Sequence, residues 1–292
     1  MTKEKLNQLI EYVTTERFSD EIHKAKKEYY KIAGELFEDD KTYENRMTTF
    51  LEWYLFDRLL TDKTITPLEL FIEENRDKLT LEYMHAYEGF LRSIHGLFII
   101  KKIKDDQVVV YNLFDENKYV VSEKEGSIFF HKNDIFEGRI IPFNDKYFFT
   151  GTFCYHPKDA LKFIKTEAKR LLNERKHLEK SLKIMNAELK SIESKLIKVS
   201  MEADKMKIKT DKSGPIYTSE LLGAKLTEIE TKKNDLQEQL NARMKQMKEW
   251  EIKNIEIGYR LSREQTIQKL SYMSLKWERS RQIALGDIYR NA

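Results

Sequence analysis

The segment Phe50–Arg58, FLEWYLFDR, carries three charges among large apolar residues. Glu52, Asp57 and Arg58 sit on a stretch where Phe50, Leu51, Trp53, Tyr54, Leu55, Phe56, Leu59 and Leu60 would cover most of a helix. A charge taken into an apolar interior needs a partner or a pocket. The expectation is that these three face the one wet edge of the helix or pair internally. The sharper alternative is a carboxylate site lined by Trp53 and by His85 or His95.

Other chemistry has no recognisable frame. Neither GxxxxGK[ST] nor GxGxxG occurs, and there is no GxSxG elbow, HExxH or calcium loop. The six histidines, His23, His85, His95, His131, His156 and His177, show no metal-ligand spacing. Cys154 is the only cysteine, which excludes an intramolecular disulfide and a cysteine-rich zinc site. No catalytic residue, cofactor or metal ligand is expected, and an enzyme ranks third among the readings.

The binding candidates are basic. Lys205, Lys207, Lys209 and Lys212 stand beside Ile216 and Tyr217, a pattern that could touch a partner or a phosphate backbone. The tail places Arg279, Arg281 and Arg290 with Trp277 and Tyr289. The chain of 292 residues has a net charge of +3, but residues 1–157 hold 22 Lys and Arg against 29 Asp and Glu. The rear half is therefore strongly basic, and the tail is expected to pack on the acidic front.

The elements that must position these residues fall into four parts. Residues 1–95 read as an α-helical head of about five helices around the buried third, with Ser19-Asp20, Thr66-Pro67 and Thr80 as start signals. Residues 96–156 change to short β-branched and aromatic runs, at 97–103, 108–113, 119–122, 127–131, 138–143 and 147–153. These predict a small antiparallel SH3-like barrel packed on the head. Residues 157–268 predict a long antiparallel coiled-coil hairpin with its tip at 207–219, and residues 269–292 a C-terminal helix returning to the base.

The hairpin rests on two apolar series at alternating gaps of three and four, from Leu161 to Met206 and from Leu222 to Leu261. An antiparallel register sets Val199 against Ile229 and Leu189 against Leu240. It also sets Arg175, the odd rung of the first series, opposite Asn254. A shared polar layer would fix the register at some cost in stability. A dimeric coiled coil is the structural rival, with an intramolecular hairpin in a monomer preferred.

FLEWYLFDR, followed by Thr66-Pro67-Leu68-Glu69-Leu70-Phe71 and by Ser93-Ile94-His95-Gly96-Leu97-Phe98, resembles a pattern in uncharacterised bacterial proteins. In those proteins a helical segment precedes a small β-region. The likeness spans roughly residues 45–155 and implies no activity for any residue.

The expected class is α+β and mostly α, and the expected protein is soluble and cytoplasmic, with no membrane span. Its expected role is non-enzymatic: the coiled-coil arm is presented to a partner protein. A nucleic-acid- or ribosome-associated factor using the basic tip is the alternative.

Overall fold

The computed structural model describes residues 2–124, 129–212, 216–280 and 282–291. The chain divides into two compact units, Met1–Leu172 with Leu261–Ala292, and Asn173–Arg260. It is mostly helical, with one small mixed sheet.

The first unit begins with α1 (Thr2–Val13), α2 (Ser19–Ala33), α3 (Tyr43–Phe56), α4 (Pro67–Asn75) and α5 (Leu81–Leu91). As its composition requires, α3 is buried nearly all round, with Phe50, Trp53, Tyr54, Leu55 and Phe56 inside. Leu6, Leu9, Tyr29, Leu68, Tyr87 and Phe90 pack against it in one cluster. Thr66 opens α4 with a full capping box to Glu69, and the Thr80 side chain accepts from the Tyr83 amide at the start of α5. Ser19 instead lies inside α2, which Phe18 precedes without a side-chain cap.

The sheet comprises β1 (Ile94–Lys104), β2 (Gln107–Asn112), β3 (Lys118–Ser122), β4 (Ile135–Phe143), β5 (Lys146–Phe149) and β6 (Cys154–His156). Pairing runs β1–β2–β3–β5–β4 and returns from β4 to β1, with β6 on the free part of β4. It is not wholly antiparallel, because β3 meets β5 in parallel at Val121 and Tyr147. The tight Asn144-Asp145 turn, both residues at positive φ, sends β5 back beside β4 and into reach of β3.

Two strand expectations need correction. Ser127 and Ile128 lie outside the described residues, and Phe129–His131 is not a strand. Phe130 instead inserts among Phe136, Phe149 and Phe153 and fills the apolar side of the sheet. The run from Tyr147 breaks after Phe149, where Gly151 takes a positive φ, and resumes as β6.

A short 3-10 turn, Lys158–Ala160, leads into α6 (Leu161–Lys212). The C-terminal part of the unit is α8 (Arg260–Arg279) and the single turn α9 (Leu285–Ile288), not one continuous helix. Ile267, Leu270 and Ile288 are buried, and Arg279 reaches Asp40 of the acidic α2–α3 connection at 2.7 Å. Arg281 lies outside the described residues.

The second unit holds the distal part of α6, then α7 (Ile216–Glu251) and a π-helical segment, Ile252–Tyr259. Helix α6 continues through Lys207–Lys212, where a break was expected; the Ser213-Gly214-Pro215 break lies outside the described residues. Leu189, Val199, Ala203 and Leu240 are buried. Glu188 is ion-paired with Arg243, and Lys207 with Glu230 at 3.0 Å. Each π turn takes an extra residue, so the apolar spacing changes phase after this segment.

Candidate functional site

Strand alternation builds the site. In β4, Phe136 and Ile140 join the apolar cluster of the sheet, while the intervening Glu137 and Arg139 belong to the opposite side. His95 of β1 stands across from Arg139 in the antiparallel register, with Glu137 one diagonal step away. Glu52 and Asp57, from the middle and end of α3, and Glu264, from α8, complete a cluster in which all six residues are buried.

Its contacts form two linked parts. His95 Nδ1 lies 2.7 Å from Glu264 Oε2 and 3.9 Å from Asp57 Oδ2. On the other edge of the ring, Nε2 lies 3.2 Å from Glu137 Oε1. Arg139 donates to the Asp57 carboxylate and, at 3.1 Å, to the Ser93 hydroxyl. Its Nε stands 3.6 Å from Glu52 Oε2, and its guanidinium lies over the Phe56 ring. At the rim, Arg263 donates to Glu264 Oε1 at 2.8 Å.

The electrostatics follow from burial and these pairs. Burial pulls the His95 imidazolium down, but the Glu264 charge and the bonds to Glu137 and Glu264 outweigh it and raise its pKa to about 9. Burial pushes Glu264 up, yet the charges of His95 and Arg263 hold it well below the usual carboxylate range. Burial prevails at Glu52 and raises its carboxyl in spite of Arg139. Glu52 Oε1 and Glu137 Oε2 have no hydrogen-bond partner. Chemically the group can hold a proton between carboxylates and an imidazole. Asp57, His95 and Glu264 can also offer one ligand atom each to a metal ion.

The other charged residue of the FLEWYLFDR segment goes elsewhere. Arg58 binds Glu28 at 2.7 Å and Glu21 at 2.6 Å. Trp53 packs with Tyr29 and Phe50, and His85 lies against Phe143. Of the two histidines considered, His95 alone reaches the carboxylates. Glu137, Arg139 and Glu264 were missed. The FEGRIIPF run did offer a signal, since its two charges alternate with residues of a buried strand.

A second polar group ties α3 to α8. Arg46 donates to the Ser271 carbonyl at 3.0 Å and to Glu278 at 3.0 Å. Nearby, the Ser271 hydroxyl contacts the buried thiol of Cys154, and His156 Nδ1 lies 3.1 Å from the Tyr289 hydroxyl. Burial, with the Arg46 charge, lowers His156 to about 3.

In the second unit, Lys205 and Lys209 are exposed, and Lys207 pairs with Glu230. The side chains of Lys212, Ile216 and Tyr217 lie outside the described residues. Arg175 bonds Glu179 at 2.9 Å, and Asn254 donates to the Trp250 carbonyl at 2.8 Å, each within its own helix.

Five of the six buried residues, all but Glu264, fall in residues 1–194, the stretch matched by the model of a family of unknown function (DUF7986). The chain belongs to that family. No curated protein and no solved structure matches it. Among the described residues, no helix is long and apolar enough to cross a membrane.

Proposed function

We propose that this is a non-enzymatic, cytoplasmic interaction protein that offers the helices of residues 173–260 to an acidic amphipathic helix of a partner protein. One observation carries the reading. Ile197, Met201 and Ile208 are 60%, 59% and 55% exposed. At about 3.6 residues per turn their spacings of four and eleven put them on one face of α6, away from buried Val199 and Ala203. Lys198, Lys205 and Lys209 lie along one side of that stripe. An apolar stripe with a basic border suits a helix that brings leucines and carboxylates.

Finer features of the fold belong to the same reading. The return of pairing from β4 to β1 supports a small SH3-like barrel. The ion pairs Glu188–Arg243 and Lys207–Glu230, in which one number rises as the other falls, support an antiparallel coiled-coil hairpin. Arg175 and Asn254 would then share a layer of its register.

The test is recovery of a partner from lysate with and without nuclease, using the wild type and a chain carrying Ile197→Ser, Met201→Ser and Ile208→Ser. A nuclease-resistant partner that is lost with the triple change supports the reading. Retention on nucleic acid that weakens with salt, and that falls when Lys205, Lys207, Lys209 and Lys212 become Gln, would replace it with a nucleic-acid-associated role.

A further inference from the structure

We propose that Asp57, His95 and Glu264 form a buried three-ligand site for one divalent transition-metal ion, with Glu137 and Arg139 as its supporting shell. Their ligand atoms all lie within 4.8 Å of one another. An ion about 2.0–2.2 Å from each of three N or O ligands holds those atoms about 3.3–3.6 Å apart. The present Nδ1 separations, 2.7 Å to Glu264 and 3.9 Å to Asp57, bracket that span. The two Nδ1 separations therefore each come into the range of a ligand set with a change of less than about an ångström.

The surroundings have the form that such a set requires. A ligating histidine generally gives its second ring nitrogen to a carboxylate, which fixes the tautomer and aims the other nitrogen at the metal. Glu137 Oε1 occupies that position on Nε2, and Nδ1 is left facing Glu264 and Asp57. Arg139 holds the Asp57 carboxylate in the same supporting sense. The site draws on α3, β1 and α8, so an ion there would clamp helix, sheet and C-terminal helix together.

Charge and unmet hydrogen bonds point the same way. Four buried carboxylates face Arg139, His95 and, at the rim, Arg263. A dication between Asp57 and Glu264 lowers the cost of keeping those two carboxylates ionised away from water. Glu137, only 3% exposed, leaves Oε2 without a partner beside the ring. A buried carboxylate oxygen left so is costly, and a cation on Nδ1, across the ring, reaches Glu137 through the imidazole by strengthening the Nε2–H donor to Oε1. Mixed imidazole and carboxylate donors suit Zn2+ or Mn2+ over Mg2+ or Ca2+.

Because the site is enclosed, loading is tested during folding. The full chain is unfolded in guanidinium chloride with chelator, then refolded with Zn2+ or Mn2+, desalted and assayed for metal by mass spectrometry. About one retained equivalent is expected, with a Tm several degrees above chelator-refolded protein. His95→Ala and Glu264→Gln should retain less than a tenth of that amount. A folding failure in those variants is bypassed by a wild-type measurement. In 15N-histidine spectra, Zn2+ should shift Nδ1 of one histidine and leave the others in place. Retention below a tenth of an equivalent by the refolded wild type overturns the site, as does retention that survives His95→Ala in a folded variant. Either result leaves the interaction reading of residues 173–260 untouched.

Discussion

Glu264 Oε2 and His95 Nδ1 lie 2.7 Å apart, although 169 residues of chain separate them. The bond joins α8 to the first strand of the sheet inside one buried cluster. Glu264→Gln keeps the shape and removes the charge. Breaking one partner of a buried ion pair costs about 3–5 kcal/mol. Urea unfolding monitored by Trp fluorescence should show a loss of that order. A loss under about 1 kcal/mol, the range of an exposed pair, would mean that the cluster is more hydrated than its burial implies.

Arg46 and Arg279 both link the helical head to α8, but at different depths. Arg46 is buried and engages Ser271, Ser274 and Glu278, whereas Arg279 is partly exposed and engages Asp40. Arg46→Leu should cost about 3–5 kcal/mol and speed hydrogen exchange across residues 261–279. Arg279→Leu should cost about 1 kcal/mol or less. Equal losses would contradict the difference in burial.

His156 sets an expected pH dependence from about pH 6.5 down towards about pH 3. Its folded pKa is about 3, because burial and the Arg46 charge disfavour the imidazolium. The unfolded chain takes up a proton near the ordinary histidine pKa, so the unfolded state binds more protons and stability falls as pH drops. The slope approaches about 1.4 kcal/mol per pH unit below the unfolded pKa. His95 is protonated in both states at the acid end of this window and adds little there. Urea titrations at several pH values should show the slope in wild type and a flatter line in His156→Gln. An unchanged slope would assign the effect to other groups.

Gly34 ends α2 at φ +78 and faces the ring of Tyr272 on α8. A methyl group there meets the ring as well as an unfavourable backbone angle. Gly34→Ala should therefore destabilise by about 1–3 kcal/mol, by backbone strain and overpacking together. Gly34→Ala combined with Tyr272→Ala should recover the packing part, leaving about 1 kcal/mol of backbone strain beyond the effect of Tyr272→Ala alone.

Local physics made much of the chain legible. The apolar circumference of FLEWYLF marked α3 as a buried helix, the capping residues marked the starts of α4 and α5, and the short β-branched and aromatic runs from Leu97 marked a sheet. The same segment also announced charges in need of partners. Which partners they found was decided by register and packing. A one-residue slip of β4 would have turned Glu137 and Arg139 to the other face of the sheet. Likewise, the sequence around Glu264 resembles any polar helix until α8 lies against β1. Periodicity is a property of neighbours in the chain, and it determined the elements. The assembly of Glu52, Asp57, His95, Glu137, Arg139 and Glu264 depends on long-range pairing and desolvation, which only the tertiary structure supplies.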